Sequence, residues 1–142
     1  MKNRIFLIMA LLLFAVLGLA ACGTGADKSA LEDTIWLLES YGAPGNLKAV
    51  LEDTEITVQF ASAEGAVTGS AGCNSYGGSY EVNQGKLTLP EPLISTMMAC
   101  PEPIMTQELE YLSLLQTAES YKIEDGQLSI TCGQSILIFR RQ

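Results

Sequence analysis

The reactive chemistry of this chain of 142 residues rests on four cysteines, Cys22, Cys73, Cys100 and Cys132. Histidine is absent. That removes the commonest general base and the commonest transition-metal ligand, so neither a Ser-His-Asp nor a Cys-His arrangement can be assembled. No two cysteines stand as C-x-x-C, which argues against a thioredoxin-type redox centre and against a zinc ribbon. Glu52, Asp53 and Glu55 crowd three carboxylates together, but without the spacing and glycine of an EF-hand loop; they read as a solvated charge run. No catalytic set, metal site or cofactor motif emerges, and the chain is not expected to be an enzyme. What remains is a cluster of amide, hydroxyl and aromatic side chains after Cys73. Tyrosine presents an apolar body and a polar tip, as binding sites require, so Asn74, Tyr76 and Tyr80, with Ser75 and Ser79 between them, are the candidate binding residues. Strands are rich in tyrosine for packing reasons alone, which is the plainer explanation of the same pattern.

Cys22 has a chemistry of its own. Behind Lys2 and Arg4, the run Ile5 to Ala21 carries no charge. A basic start, an apolar middle and small residues at the end are the parts of a secretory signal. The run is a little short of the about 20 apolar residues of a spanning helix. Leu19-Ala20-Ala21-Cys22 resembles the bacterial lipobox, in which cleavage exposes the cysteine and fatty acyl chains such as palmitate are attached to it. Two or more chains give stable attachment, where one is marginal. The expectation is a signal peptide over 1–21, lipid on Cys22, and a small polar tether over 22–31. The protein would then be lipid-anchored in a bacterial envelope. Gly23 rather than aspartate after the cysteine suits the periplasmic face of an outer membrane; a cell with one membrane would carry the domain on its outer face.

The remaining residues, 32–142, suit one domain with its own core. The whole chain has 8 basic and 16 acidic residues, a net charge of −8; loss of Lys2 and Arg4 makes the remainder two charges more negative. An acidic body argues against nucleic acid as a partner. No residue pattern names a protein or small-molecule partner.

Periodicity supplies the elements. Ile35 to Tyr41 reads as a first strand and Gly42 to Asp53 as a loop. Glu55 to Phe60 alternates, with Ile56, Val58 and Phe60 on one face. Ala66 to Ser70 is a short strand, and Ala71 to Gly78 is too rich in glycine for a regular element. Ser79–Val82 and Lys86–Leu89 form a hairpin. Met105 to Ala118 is the one good helix, with Met105, Leu109, Leu112 and Leu115 as its core stripe. Tyr121–Glu124, Gln127–Thr131 and Ser135–Arg140 close the chain as strands. Trp36 is expected in the core, as are Met97 and Met98, although methionines also make adaptable contact surfaces. The order is not βαβαβ, so no parallel sheet is expected. The fold class is mainly β (α+β): a strongly bent antiparallel sheet or partial barrel of about seven short strands with one helix.

Two segments stand out together, Gly72-Cys73-Asn74 with the following Tyr80, and Thr96-Met97-Met98-Ala99-Cys100. With Trp36-Leu37-Leu38 and Ile56-Thr57-Val58-Gln59-Phe60, they make the chain resemble a META domain, the HslJ-like family of bacterial envelope proteins, from about Thr34 to Arg141. The resemblance implies an antiparallel β fold with one helix, no established enzymatic activity, and association with heat-induced expression, novobiocin resistance and, in some members, motility or virulence. It also implies a Cys73–Cys100 disulfide with Cys132 left as a thiol; Cys73–Cys132 and Cys100–Cys132 are the alternative pairings. A Cys73–Cys100 bridge closes a loop of about 27 residues, worth on the order of 3 kcal/mol in the chain-entropy model. The functional expectation is a membrane-anchored, non-enzymatic lipoprotein of stress or antibiotic tolerance or surface maintenance. The alternative is a binding module for a small apolar ligand or an envelope partner protein, since a barrel-like fold can enclose a ligand.

Overall fold

A computed structural model describes residues 27–142. Cys22 and the expected signal peptide lie outside the described residues. The chain opens on a helical turn, α1 (Lys28–Leu31), capped by the Asp27 side chain. Eleven strands follow in one sheet: β1 (Ile35–Ala43), β2 (Asn46–Ala49), β3 (Thr57–Ala61), β4 (Ala66–Ser70), β5 (Ser75–Ser79), β6 (Glu81–Asn83), β7 (Lys86–Thr88), β8 (Ile94–Ser95), β9 (Ala118–Glu124), β10 (Gln127–Cys132) and β11 (Ser135–Arg141). The long helix α2 (Glu102–Gln116) interrupts them before β9.

Every strand pair is antiparallel, in the order β6-β7-β9-β10-β11-β1-β3-β4-β5-β8, with β2 beside β1. β5 stands near one end of that order and β6 at the other, yet only Tyr80 separates them in the chain. The two ends of the sheet are therefore brought together, and the sheet curls into a half-barrel. The hairpin turns help. Gln84-Gly85 and Asp125-Gly126 all have positive φ, the backbone whose twist matches that of the flanking strands.

The core is the concave face of this sheet, closed by α2. β1 contributes Trp36, Leu38 and Tyr41, all buried. Strict alternation would send Tyr41 outward, but the register against β11 shifts between Leu38 and Ser40. That bulge returns Tyr41 to the inner face. Trp36 is fully buried and its indole N–H donates to the Leu31 carbonyl at 3.0 Å. Leu31 is itself fully buried. The body of the domain thus reaches back to Lys28, into the segment expected as tether.

Several expectations need correction. The sheet has eleven strands rather than about seven. The additions are β2, in the segment read as a loop, β5, in the segment read as too glycine-rich, and the two-residue β8. None shows an apolar alternation, because β2 is exposed throughout and two of the five residues of β5 are glycine. The helix spans Glu102–Gln116 rather than 105–118, since Pro103 is tolerated in its first turn. Of the expected stripe Leu115 is buried and Leu112 packs against the core, but Leu109 is 63% exposed, and the other buried side chains of the helix are Gln107, Glu108 and Tyr111. Met97 and Met98 are not core either, at 97% and 56% exposure.

Candidate functional site

The glycine-rich Cys73 segment meets the Thr96–Cys100 segment at the end of the half-barrel where α2 begins. Cys73 and Cys100 are joined by a disulfide, Cα to Cα 6.2 Å. Ala71 and Asn74 close a turn between β4 and β5, the Ala71 N–H donating to the Asn74 carbonyl at 2.8 Å. Asn74 is buried, and its remaining polar groups are all engaged. Its side-chain amide donates to Glu108 Oε1 at 2.8 Å and to the Met98 carbonyl at 3.2 Å. Its Oδ1 accepts from the Met98 N–H at 2.7 Å and the Thr96 hydroxyl at 2.8 Å. Its main-chain N–H donates to Glu108 Oε2 at 2.7 Å, and the Cys73 N–H donates to the same oxygen at 3.3 Å. Glu108 is therefore a buried carboxylate anchored by three N–H groups, the arrangement in which burial of a charge is offset by charge-assisted hydrogen bonds.

Two more helix side chains act the same way. Gln107 accepts from the Leu51 N–H at 2.7 Å and donates to Thr54 Oγ1 at 3.0 Å. Gln116 accepts from the Leu93 N–H at 2.8 Å and donates to the carbonyls of Leu89 and Glu91. α2 thus holds three loops by side-chain amides and one carboxylate. Sequence reading passed over Gln107, Glu108, Tyr111 and Gln116. Their only signal is polar residues one step beside the apolar stripe, and an exposed face would show the same.

The candidate binding residues lie inside the protein rather than around a common cleft. Asn74 belongs to the network just described. The Tyr76 hydroxyl donates to the Thr57 carbonyl at 2.9 Å, so the Tyr111 hydroxyl, 2.7 Å away, is the donor between the two tyrosines. Burial pushes both phenols well up, most of all where no water can solvate a phenolate. Tyr80, further along, packs edge-on against Phe60 at 5.0 Å, and its hydroxyl donates to Glu32. Desolvation, then the Glu32 hydrogen bond and charge, push its pKa up and so hold the phenol protonated. Asn74 and Tyr76 bond Glu108 and Tyr111 along the middle of α2, while Tyr80 bonds Glu32 beside α1. Cys132 is buried and free.

The open concavities lie elsewhere, between α2 and the β1–β2 hairpin. Lys48 reaches from β2 to both oxygens of Glu110 on α2 at 2.8 Å. On one side of this ion pair is a depression of about 480 Å³, walled by Tyr41, Gly42, Leu109, Leu114, Ser113 and Ser135. On the other is one of about 490 Å³ that includes Ala49, Leu51, Glu102, Pro103 and Thr106. Tyr41 forms part of both. Its phenol is pushed up to about 12, by burial first and then by the Glu110 charge. The first depression is mainly apolar and suits side chains rather than ions.

The family model of the META domain matches residues 29–142. An NMR structure of a protein from Burkholderia xenovorans is similar over 80% of this chain and 85% of its own, with 30% identity and a TM-score of 0.69. A second NMR structure, at 22% identity and a TM-score of 0.63, covers 81% of this chain and 94% of its own. A crystal structure of a DUF4847 family protein from Bacteroides vulgatus shares the fold at 12% identity, with a TM-score of 0.57 over 80% of this chain and 95% of its own. No curated protein sequence matches the chain.

Proposed function

The chain belongs to the META domain family, whose function is envelope-associated, and on that premise we propose a lipid-anchored, non-enzymatic lipoprotein that supports stress or antibiotic tolerance at the cell surface. The observation that carries the non-enzymatic part is how the signature residues are used. Both carboxylate oxygens of Glu108, and every polar group of Asn74, are consumed in holding the Cys73 turn to the Met98 loop. Two main-chain N–H groups and one side-chain amide already engage the buried Glu108 carboxylate, which commits it to structure, whereas general acid–base work needs a group within hydrogen-bond reach of a substrate. The anchoring part is supported by Leu19-Ala20-Ala21-Cys22 behind its apolar run.

Strand register sets the first described residues and the disulfide at opposite ends of one ladder. Asp33, near the first described residues, donates its N–H to the Phe60 carbonyl, and its carboxylate binds Ser62 at the β3–β4 turn. Ile56 bridges Ala71 at the opposite end of the same ladder, beside the disulfide. Five residue steps separate the ends, about 17 Å. The disulfide end, with exposed Ile94 and Met97, is therefore the end of this ladder farther from Asp33.

The test is a strain lacking this protein, challenged with heat and with novobiocin and complemented by wild type or Cys22→Ala. Wild type is expected to take up labelled acyl chain, fractionate with membranes and restore tolerance. Cys22→Ala should remain unlabelled and restore little. Acyl labelling of Cys22→Ala, or a deletion strain as tolerant as its parent, would overturn the reading. A binding role is a second reading, favoured by the depressions beside Lys48 and Glu110.

A further inference from the structure

β2 is the place where the sheet stops. It pairs with β1 through Ser40–Ala43, and among the described residues no strand lies beyond it. Antiparallel partners alternate between residues that exchange hydrogen bonds and residues that turn those groups outward. The Val50 N–H donates to the Glu39 carbonyl across the same pair of strands. By that alternation Lys48 also faces β1, and Leu47, Ala49 and Leu51 turn their N–H and C=O groups outward. Leu51 shows what lies there: its N–H meets Gln107 Oε1 at 2.7 Å. A side-chain carbonyl from α2 occupies the place of a neighbouring strand's carbonyl. Leu47 and Ala49 have no such partner among the described residues.

We propose that this edge takes up an extended, basic peptide segment of an envelope partner, which adds as a strand beside Leu47–Ala49 in the trough between β2 and α2. Strand addition supplies affinity through the main chain and selectivity through pockets for alternate side chains. The two depressions on either side of the Lys48–Glu110 pair offer those pockets. Leu109 and Leu114 line one, Leu51 and Pro103 the other. Charge selects the rest of the segment. Glu102 and Glu110 line the trough, and exposed Glu52 and Asp53 follow Leu51. Lys48 is the one basic residue lining either depression, and it is already bound to Glu110. An anionic lipid headgroup would meet like charge there, and a lipid has no main-chain groups to offer Leu47 and Ala49. The proposal goes beyond the anchoring reading and survives its failure, because the trough is present whether or not Cys22 carries lipid.

The test uses the full-length protein in detergent and a labelled short peptide of alternating valine and lysine. A control peptide of the same charge is N-methylated on the residues that face β2, so it cannot join a sheet. The parent peptide is expected to bind and to slow amide exchange at Leu47 and Ala49. The control, and Ala49→Pro, which removes an outward N–H that β1 does not use, should each weaken binding by about tenfold or more. Trp36 fluorescence reports whether Ala49→Pro folds; if it does not, the methylated peptide on wild-type protein decides alone. Equal binding of both peptides, no binding of the parent, or protection of amides away from β2 would each overturn the proposal.

Discussion

Asn74 gives both its main-chain N–H and its side-chain amide to the two oxygens of a single buried carboxylate, Glu108, at 2.7 and 2.8 Å. The pair joins a turn between strands to the long helix, and through Met98 it fixes the main chain of a loop whose side chains are exposed. The Met98 loop is thus held by its backbone rather than by burial of its methionines. This explains how Met97 can be almost fully exposed in an ordered segment.

Removing the acceptor strands the donors. Glu108→Ala leaves the Cys73 and Asn74 N–H groups and one side-chain amide without a carboxylate in a buried place, each costing about 1–3 kcal/mol. A loss of about 3 kcal/mol or more in urea unfolding is expected. Asn74→Asp, nearly isosteric, should be harsher at neutral pH, because it sets a second carboxylate against Glu108. Like charges in one buried site disfavour ionisation and raise a carboxyl's pKa. A raised folded-state value gives stability at low pH that disappears as pH rises through it, so Asn74→Asp should recover relative to wild type on acidification. A variant equally weak at pH 4 and 7 would contradict this account.

The disulfide and the Asn74 network hold the same loop, so their contributions should not add. Cys73→Ser with Cys100→Ser frees a loop of about 27 residues, worth on the order of 3 kcal/mol. Once Asn74→Ala has already released Met98, breaking the bridge should cost less. A double-mutant cycle is expected to show a coupling above about 0.5 kcal/mol; additive losses would mean that the two act on separate parts of the structure.

The core strands were legible because Ile56, Val58 and Phe60 alternate and Trp36 opens an apolar run. Strands that bury little were not. β2 is exposed on both faces, and β5 spends Gly77 and Gly78 where a pattern would need side chains. On α2 the misreading has a specific cause. A 3.6-residue period counts apolar residues as inward, but here Gln107 and Glu108 are inward because two loops need donors and acceptors. Leu109 is outward at the trough instead. The motif around Cys73 pointed to the right place. Its chemical partner, Glu108, lies 34 residues away from Asn74, with nothing local to mark it. Tyr76 and Tyr80 stand as candidate binding residues in the sequence, with strand packing the plainer explanation, because spacing does not distinguish a hydroxyl facing a ligand from one facing another buried hydroxyl.

Gly69 marks the tightest approach in the sheet. A Cβ there would lie 2.0 Å from the Thr57 carbonyl oxygen and 2.8 Å from the Tyr76 hydroxyl, the two atoms that hydrogen-bond each other. Gly69→Ala must therefore push β3 from β4 or break the Tyr76–Thr57 bond, with Tyr111 left without its partner in place. Overpacking of this kind costs on the order of 3 kcal/mol. Thermal melting checks it; a variant melting with wild type would show that the strands part easily here.

The alkaline limit of stability is set by groups buried in their protonated forms. Burial, and to a lesser degree the Glu119 charge, pushes the Cys132 thiol from 9.0 up to about 12. Its folded-state value thus lies above its unfolded one. The contribution is fully present below pH 9 and is lost as pH climbs toward 12, because the unfolded chain can ionise the thiol and the folded one resists. Tyr41, raised from 10.0 to about 12, adds a second loss that begins a unit later. Unfolding free energy should therefore be level near pH 8 and fall between about pH 9 and 12. Cys132→Ala starts lower, having lost buried apolar volume, but its decline above pH 9 should be shallower than that of wild type. The same burial makes Cys132 inert to water-soluble thiol reagents at neutral pH until the domain unfolds. Urea titrations at a series of pH values, with thiol labelling alongside, measure both. Parallel declines for the two proteins, or rapid labelling of the folded one, would show that the thiol reaches water in the native state.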